Sequence, residues 1–343
     1  MAYLFYQHIC DSQETMKARW QYFINTSLCI LSFAVIHSCF PCSHCRQSQC
    51  VPGKGVQYGN ELPDKTSEFS SSPQIIPLKR KNLREISGIA ASLQNKNMLY
   101  LNQDNAHPNC IYLTNTTGQD LGRLIICNSL NRDWEDIAVG PGPLPDHTYI
   151  YVADIGDNNE WHCNIRIYRF QEPDLSTAAF PVRKSIKSAE TITLHYPDKP
   201  HNAETILLDP LTRDLYIVTK EDTCSRIYVA SFPQSTHKKI VLEPVITLPF
   251  HLVTGGNISI SGLEIFLRSE EYYWYYKRAV GETVAAALGR PPQQITPVTR
   301  EPQGEAICFA TDQQGYFTCS EVKRKQQPVI YFYERASLSK KDR

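Results

Sequence analysis

The sequence predicts an all-β fold, a β-propeller built from four-stranded blades, on the strength of three observations. A short segment recurs five times, each copy is followed by the signals of further strands, and one strand is left over at the N-terminal end of the series. The 19 Tyr and 22 Pro residues against three Met are also typical of a β-rich, turn-rich protein. Five blades are expected, with six as the alternative.

The recurring segment begins with a small or acidic residue and continues as an apolar run. We call these first residues the entry residues; they are Ser87 in SGIAAS, Glu135 in EDIAVG, Glu204 in ETILLD, Gly256 in GNISIS and Glu305 in EAICFA. An isoleucine follows each entry residue by two positions, and successive isoleucines lie 48 to 69 residues apart. Spacings of this size indicate one propeller blade per copy.

Each copy continues with a turn and two more short runs of apolar and β-branched residues, the usual signals of further strands. A fourth run precedes the next copy at residues 123–127, 190–194, 244–248 and 293–298. The fifth copy has no such run after it, whereas residues 73–78 resemble one and precede the first copy. This N-terminal strand is therefore expected to complete the last blade and close the ring. The extra residues around 171–188 are interpreted as an insertion.

One folded domain, residues 73–335, is expected between two dissimilar ends. Residues 1–38 combine basic residues with a short apolar run, which predicts a secretory signal peptide or, alternatively, an uncleaved type II signal anchor. Residues 39–72 form a Cys-rich segment and linker, and residues 336–343 a polar tail. The protein is thus expected to be secreted or to reside in the secretory pathway, with a membrane contact only if the first segment stays uncleaved.

The charge balance gives no sign of a polyanionic partner. Lys+Arg and Asp+Glu both number 35, so net charge favours neither nucleic acid nor an anionic membrane surface. The sequence contains no Gly-x-Ser-x-Gly elbow, phosphate-binding loop or HExxH motif. The expected ligand is a small molecule or an extracellular partner, and the protein is expected to be a monomer.

The 12 Cys residues fit an oxidising compartment. Candidate disulfides are Cys308–Cys319, which stand symmetrically about a predicted hairpin turn, Cys163–Cys224 and Cys110–Cys127. For the first pair, two facing free thiols are the alternative. Asn115, in an Asn-Thr-Thr sequon within a predicted loop, is the expected glycosylation site.

A propeller brings the entry residues together, because the innermost strand of every blade lines the central channel and is entered from one rim. We call this rim the channel mouth. The second strands end at the same rim and are expected to contribute Asp104, Asp154, Asp157, Asn158, Lys220, Arg268 and Glu321. Asp136 is expected to point away from the mouth, since side chains alternate along a strand.

Three glutamates in one narrow mouth repel each other and lose hydration, and each uncompensated buried charge costs several kcal/mol. A bound cation, a network with Lys220 and Arg268, or raised pKa values would offset this cost. An all-oxygen set suits Ca²⁺, which takes about 6–8 oxygen ligands. Ca²⁺ is therefore the expected cofactor, and its expected ligands are Glu135, Glu204, Glu305, Asp154, Asp157 and Asn257. Solvated carboxylates of purely structural role are the further alternative.

Two local features leave alternatives open. The string ADIGDN, residues 153–158, is either an oxygen-lined loop at the mouth or a turn whose Asx side chains bond their own backbone. The histidines of predicted rim loops are interpreted as solvated, with a general-base role as the alternative; they are His107, His162 and His201.

With the repeat in view, the chain resembles a family of uncharacterised, mostly bacterial, secreted propeller proteins. The matching strings are DWEDIA, ADIGDN, NAETILLDP, VTGGNIS and EPQGEAI, which cover roughly residues 83–335. More distantly the chain is similar to the calcium-dependent propellers, namely gluconolactonases, paraoxonases, strictosidine-synthase-like proteins and phytase-like domains. That similarity implies an axial Ca²⁺ that polarises an ester or phosphate oxygen. The fourth copy departs from it, with Asn257 where an acidic residue is expected.

Two functions follow as expectations. The first is a secreted propeller that binds Ca²⁺ at the channel mouth and hydrolyses an ester, lactone or phosphoester, with Asp154 and Asp157 as candidate catalytic residues. The second is a non-catalytic extracellular binding module for a protein, peptide or glycan. The sequence leaves open whether the protein is an enzyme; if it is one, a metal-dependent hydrolase is expected.

Overall fold

Short runs of β-branched and aromatic residues between turns become strands throughout the part of the chain that the structure describes. The computed structural model describes residues 56, 58, 68–105, 107–297, 301–323 and 326–336. The predicted signal segment, most of the Cys-rich linker and most of the polar tail lie outside these residues. Within them, no helix is long and apolar enough to cross a membrane.

The described strands form five sheets, each of which is one blade. From the innermost strand outward, blade 1 contains β2 (Ile86–Ala91), β3 (Met98–Gln103), β4 (Cys110–Asn115), β5 (Asp120–Ile126) and β9 (Val182–Ile186). Blade 2 contains β6 (Trp134–Pro141), β7 (Thr148–Asp154), β8 (Ile165–Gln171), β10 (Glu190–His195) and β14 (Ile240–Val241). Blade 3 contains β11 (Ala203–Leu208), β12 (Leu215–Thr219), β13 (Arg226–Ala230) and β15 (Glu243–Thr247).

The last two blades complete the set. Blade 4 contains β16 (Gly255–Ile258), β17 (Glu264–Arg268), β18 (Tyr272–Lys277) and β19 (Gln294–Pro297), with the short helix α1 (Val284–Gly289) before its last strand. Blade 5 contains β20 (Gly304–Phe309), β21 (Gly315–Ser320), β22 (Val329–Glu334) and, outermost, β1 (Gln74–Pro77).

The innermost strands close a ring. Strand β2 packs against β6, β6 against β11, β11 against β16, β16 against β20, and β20 against β2. The protein is therefore a five-bladed β-propeller, and the six-bladed alternative is wrong. One apolar cluster lies at each of the five blade interfaces, so the core is a ring of sheet-on-sheet layers.

The ring is closed by its first strand, as predicted. Strand β1 pairs antiparallel with β22 and places Ile76 opposite Ile330. Ile76 is buried in the cluster between blades 5 and 1, whereas its neighbour Ile75 is exposed. An isolated bridge between Phe69 and Arg335 extends the same pairing.

Two blades carry a fifth strand that the repeat does not predict. The insertion before residue 190 contributes β9, which pairs in parallel with β5 of the preceding blade. Strand β14 likewise pairs in parallel with β10. Each extra strand lies between the third and fourth strands of the next blade along the chain, and it reaches back to cover an edge that would otherwise be exposed.

Polar side chains also tie neighbouring blades together. Asp136 on β6 accepts a hydrogen bond from the backbone N–H of Ile206 on β11 at 3.0 Å. Asn102 on β3 donates to the carbonyl of Trp134 on β6 at 2.9 Å. Asp136 thus points away from the mouth, which confirms the expectation from strand alternation.

Candidate metal centre at the channel mouth

A β-bulge lies at the entry residue in four of the five blades. In β6 the pairing passes from Trp134↔Asp154 directly to Asp136↔Ala153, which leaves Glu135 without a cross-strand partner. The same shift leaves Glu204 on β11 and Glu305 on β20 without a cross-strand partner. In β2 the bulged residue is Ser87. Because a bulge re-aims the side chain it carries, the four bulges turn these residues towards the channel.

The fourth blade has no bulge. Gly255 pairs with Arg268 and Gly256 with Leu267 without interruption. A Cβ atom on Gly255 would lie 2.4 Å from the carbonyl oxygen of Glu305, so this inner strand presses directly on its neighbour. At Gly256, the entry residue of this blade, a Cβ atom would lie 2.8 Å from Leu207 Cδ2 on the neighbouring inner strand and 2.9 Å from the carbonyl oxygen of Phe266, so the entry position itself also has no room for a side chain.

The three entry glutamates are buried, and each has a donor. These contacts are Ser87 Oγ to Glu135 Oε2 at 2.8 Å, Lys220 Nζ to both carboxylate oxygens of Glu204 at 2.8 Å, and Gln303 Nε2 to Glu305 Oε1 at 3.1 Å. Only one of these donors carries a charge. Among the described residues, the three carboxyl groups thus have one charged hydrogen-bond donor, the ammonium group of Lys220.

Burial raises the pKa of each glutamate, and the charge of a nearby carboxylate adds to the rise. Burial is the largest cause throughout; the charge of Glu204 adds to the rise in the pKa of Glu135, and that of Glu305 helps to raise the pKa of Glu204 to about 8. The charge of Lys220 acts in the opposite direction on Glu204 and Glu305. Burial lowers the pKa of Lys220, but the glutamates more than compensate and raise it overall. The structure thus brings the three carboxyls close enough to influence one another, as the repeat predicts.

Asp133 joins this group, although the sequence did not single it out. It is 8% exposed, and its Oδ1 accepts no hydrogen bond from any described residue. A Cβ atom on Gly156 would lie 2.3 Å from Glu135 Oε1 and 2.4 Å from Asp133 Oδ2, so the two carboxyls flank one point. Asp133 and Glu135 are two residues apart in DWEDIA, a spacing that could have drawn attention to the pair.

Further acids surround the three glutamates, as predicted for Asp104 and Glu321. Burial raises the pKa of Glu321 to about 8 and that of Asp104 to about 7, and the charge of Glu305 adds to both. Glu85, Asp104 and His107 offer ligand atoms within 4.8 Å of one another. His107 Nε2 lies 2.5 Å from Glu85 Oε2 and is half-buried, so the interpretation of His107 as a solvated loop residue is only partly right.

Arg268 was predicted to offset the negative charge of the entry glutamates, but its guanidinium group is paired with another carboxylate. It is fully buried, and its Nη1 contacts Glu301 Oε2 at 2.8 Å and the carbonyl of Ala306 at 3.2 Å. Glu301 also accepts hydrogen bonds from the hydroxyl groups of Tyr273 and Thr318. Arg268 is thus largely neutralised by a buried partner that the sequence did not reveal, because Glu301 lies in a loop outside the repeated pattern.

Asp154 faces the loop before β6. Its Oδ1 accepts from the backbone N–H groups of Arg132 at 3.1 Å and Asp133 at 2.9 Å, and its Oδ2 lies 3.6 Å from Arg166 Nη1. These contacts engage the carboxyl that was predicted to be a cation ligand or catalytic group. The structure therefore makes Asp154 a positioning residue that holds Asp133 in place.

The ADIGDN loop follows the turn interpretation at Asp157 and not at Asn158, which contacts the next blade. Asp157 Oδ2 accepts from the backbone N–H of His162 at 2.6 Å, and Asn158 Oδ1 accepts from Asn202 Nδ2 at 3.2 Å. The predicted role of Asp157 as ligand or base is accordingly not the one its contacts favour. Its place among the proposed ligands is taken by Asp133, which the same loop approaches through Gly156.

Asn257 lies away from the glutamates. Its Oδ1 accepts from the backbone N–H of Phe309 at 3.1 Å, which ties blade 4 to blade 5. Together with Val139 and Leu208 it lines a small cavity of about 50 Å³ at the other end of the inner strands. These contacts do not favour Asn257 as a cation ligand, because it stands on a strand without a bulge and farther along the channel. Its role as a ligand stays a prediction.

None of the predicted disulfide pairs is formed. Cys127, Cys163, Cys308 and Cys319 have free thiols, which excludes all three candidate bonds. Cys308 pairs with Phe317 and Cys319 with Ala306, so the two thiols are not directly opposite each other as the symmetric hairpin suggested. Burial raises the pKa of both thiols, which makes them unreactive core residues.

Asn115 is the last residue of β4 and borders the turn that follows, whereas a loop position was predicted. Its Oδ1 accepts from the backbone N–H of Thr117 at 3.0 Å and of Gln119 at 2.9 Å. Glycosylation of this side chain stays a prediction.

Comparisons with known proteins find no family for this chain. No protein-family model matches the sequence, and no curated protein matches it. Among solved structures, the chain is similar to the propeller of Dos1, with 11% identity over 73% of this chain and 68% of that one at a TM-score of 0.35. It is also similar to hydrazine synthase from Kuenenia stuttgartiensis, with 10% identity over 74% of this chain and 72% of that one at a TM-score of 0.36.

Proposed function

We propose that the channel mouth binds one divalent cation, with Ca²⁺ as the preferred ion. The observation that carries this proposal is the charge imbalance of the mouth: Glu135, Glu204 and Glu305 are buried together, and Lys220 is their one charged hydrogen-bond donor among the described residues. A cation would remove the repulsion that otherwise raises their pKa values.

The residues present fit such an ion. Carboxylate oxygens are the ligands that Ca²⁺ prefers, and its flexible geometry tolerates a site built from several blades. Asp133 supplies a buried oxygen that no described residue satisfies, beside Glu135. The proposed ligands are therefore Glu135, Glu204, Glu305 and Asp133. Asp154 supports the site by holding the backbone of Asp133.

A bound divalent cation would supply Lewis-acid polarisation of an ester, lactone or phosphoester oxygen. In a hydrolase, this chain's own part would be to orient the substrate and hold a proton near the mouth, where Glu321 and Asp104 titrate close to neutrality. In a non-catalytic binding module, the ion would only fix the channel and its surrounding loops. The proposed export of the protein would expose either form to the high Ca²⁺ concentration outside cells.

Calorimetric titration of the protein with Ca²⁺ after treatment with a chelator tests the proposal. We expect saturable binding at one site and stabilisation of about 2.7 kcal/mol when the free ion exceeds its Kd by about a hundredfold. Glu204→Gln should abolish both effects, because it keeps the shape and removes the charge. The matched control is Glu243→Gln, an exposed carboxylate on blade 3, which should leave both unchanged.

The same variants separate the hydrolase from the binding module. A panel of ester, lactone and phosphoester substrates should show turnover that is lost in Glu204→Gln if the protein is a hydrolase. Binding of the ion without turnover on the panel favours the binding module. An unfolding temperature and calorimetric heat that are the same with Ca²⁺ and with chelator would refute the cation site itself.

A further inference from the structure

A cavity opens beside the channel mouth, between blades 3 and 4. It has a volume of about 470 Å³, which is in the range of small-molecule sites. Its apolar walls are formed by Tyr58, Phe250, Leu252, Tyr272, Trp274 and Ile295. We call it the side cavity. Lys220, the donor to Glu204, also lines it, so the side cavity and the mouth share a wall.

The aromatic walls are fixed by contacts of their own. Phe250 and Trp274 stack with ring centroids 3.8 Å apart and an angle of 6° between the planes. The hydroxyl of Tyr58 lies 2.7 Å from that of Tyr276 and donates to the carbonyl of Leu288, which leaves the body of its side chain to face the cavity. A ligand would therefore meet a preformed apolar surface, and little ordering would be needed on binding.

One wall is held in a strained conformation. Leu252 has a φ of 53°, which side chains rarely adopt, and its backbone N–H donates to the carbonyl of Glu221 at 3.1 Å. The side chain is partly exposed at the edge of the cavity. Strain of this kind is concentrated at binding sites, where the surrounding structure maintains it.

The charges around the side cavity are predominantly negative. Glu270 and Glu271 line it, and both are exposed at its opening. The charge of Glu270 reaches the mouth, where it raises the pKa of Glu305. The one lysine of the wall, Lys220, is already paired with Glu204 at 2.8 Å. A positively charged group entering the opening would thus meet two solvated carboxylates.

We propose that the side cavity binds a small organic ammonium ion carried on an aromatic or alicyclic body. The apolar body would pack against Tyr272, Leu252 and Ile295, and the ammonium group would lie between Glu270 and Glu271. Association would be steered by the charges of Glu270 and Glu271 and would weaken with ionic strength. This site goes beyond the proposed cation site and depends on it only through the shared charge.

The shared charge couples the two sites. A divalent cation bound to the entry glutamates would reduce the negative potential at the opening, so it should weaken binding of the ammonium ion. By thermodynamic reciprocity, the ammonium ion would weaken binding of the divalent cation by the same factor.

Calorimetric titration with three probes of one shape tests the proposal: 2-naphthylmethylammonium, the uncharged 2-naphthalenemethanol and the anionic 2-naphthoate. The titrations use the whole protein at low salt with a chelator present. We expect saturable binding of the ammonium probe at one site, about threefold to tenfold weaker binding of the alcohol, and no binding of the naphthoate.

Three variants locate the site. Tyr272→Ala removes a half-buried wall and should abolish binding of the ammonium probe, whereas Trp161→Ala removes an exposed aromatic residue of blade 2 and should not. Glu270→Gln combined with Glu271→Gln should lower the affinity for the ammonium probe to that for the alcohol. Because both glutamates are exposed, this double variant should fold normally.

Each possible result of these titrations either supports or overturns the proposal. Equal affinity for naphthoate and the ammonium probe, undetectable binding of the ammonium probe, or affinity for that probe that is unchanged in Tyr272→Ala would overturn the proposal. Ammonium binding that is unaffected by Ca²⁺ but lost in Tyr272→Ala would support the side cavity and refute the charge coupling to a cation at the mouth. Ca²⁺ binding without any ammonium binding would leave the proposed function standing and remove the further inference.

Discussion

Glu204 shows most clearly how single residues set the properties of the mouth. It is buried, bulged out of its strand and paired with Lys220, yet burial and the charge of Glu305 still raise its pKa to about 8. A carboxyl whose pKa is higher in the folded than in the unfolded protein stabilises the fold at low pH. That contribution is complete below the unfolded pKa of about 4.5 and is lost as the pH rises towards about 8.

The first prediction concerns this pH dependence. With a chelator present, stability should fall between about pH 4.5 and about pH 8, with a contribution from Glu204 of up to about 1.4 kcal/mol per pH unit. Urea denaturation across this range measures the slope. Glu204→Gln should reduce the slope, because the amide mimics the protonated carboxyl, and saturating Ca²⁺ should reduce it in the native protein. A slope that is the same in both forms would contradict the pKa assigned to Glu204.

The second prediction concerns Lys220. Lys220→Met removes the ammonium that partly compensates Glu204 and Glu305. In the presence of chelator the variant should be less stable than the native protein near neutral pH, and Ca²⁺ should stabilise it more than it stabilises the native protein. Thermal unfolding with and without Ca²⁺ measures how much the ion stabilises the native protein and how much it stabilises the variant. Lys238→Met, at a lysine away from the mouth, is the control. A smaller Ca²⁺ effect in Lys220→Met would mean that Lys220 assists the ion instead of substituting for its charge.

The third prediction concerns the buried pair of Arg268 and Glu301. Glu301→Gln leaves a fully buried guanidinium without its carboxylate and should destabilise the protein by about 3–5 kcal/mol. Replacing both residues, with Arg268→Met and Glu301→Gln, should cost less than the sum of the two single changes. Urea denaturation of the four forms gives the coupling energy, and additive effects would show that the pair does not interact as the structure indicates.

Residues were predictable where they belong to the repeat. The entry glutamates were found because one period places them alike, and their convergence follows from that period. Asp133 and Glu301 lie just before the repeated segment, so the repeat does not mark them, although Asp133 stands two residues from Glu135. His201 was taken for a solvated loop residue, yet its ring is buried, 3.0 Å from Asp198 and 3.1 Å from Glu221. Asp198 and Glu221 belong to no repeated pattern, so the sequence alone does not reveal that they contact His201.

At the level of elements, the β-bulge is the feature that builds the mouth. Without the bulge, Glu135 would be an ordinary member of the ladder between Trp134 and Asp136, and its side chain would follow strict alternation. The bulge lets Glu135 face the channel while Asp136 still reaches the backbone of the next blade. One extra residue thus serves both the site and the blade interface.

The fourth prediction tests the space that the bulges leave. Gly156→Ala would place a Cβ atom between Glu135 and Asp133, within 2.4 Å of both carboxyls, and should push them apart. Ca²⁺ affinity should fall by about tenfold or more, as titration calorimetry would show. Gly281→Ala is the contrasting variant, because this glycine has a φ of 79° but no atom near its missing Cβ. It should lose stability through backbone strain and keep its Ca²⁺ affinity; equal affinity in both variants would contradict the placement of Asp133.

The elements themselves were largely predictable, and their register was not. The fourth strands of the first four blades and the N-terminal strand stand where the apolar runs predict them. The bulges were invisible, because a pattern of residue types shows spacing along one strand and not its pairing with another. For the same reason Cys308 and Cys319 were placed opposite each other, whereas the hairpin turns at a different point. Strands β9 and β14 lack an apolar pattern, since they cover blade edges and are mostly exposed.

At the level of the whole molecule, closure by β1 makes the five blades one cooperative unit. The last blade obtains its outermost strand from the start of the domain, so the two ends of the described chain hold each other. The entry glutamates come from blades 2, 3 and 5, so their convergence depends on this closure.

The fifth prediction tests the closure with two neighbouring residues. Ile76→Ala removes a side chain that is 6% exposed in the interface of blades 5 and 1 and should destabilise the protein by about 2–5 kcal/mol. Ile75→Ala changes a side chain that is 49% exposed on the same strand and should cost much less. Urea denaturation should give a single transition in both; equal losses would show that β1 is not held by its buried face.

The most direct test of the whole account is anomalous scattering from crystals of the protein soaked in Mn²⁺, an ion with the same preference for oxygen ligands. We predict one strong peak on the channel axis, within about 2.0–2.6 Å of carboxylate oxygens of Glu135, Glu204 and Glu305. The peak should be absent from crystals of Glu204→Gln. A peak only at Glu85, Asp104 and His107, or no peak at the mouth after soaking at a saturating Mn²⁺ concentration, would contradict the claim that the bulged glutamates form a cation site.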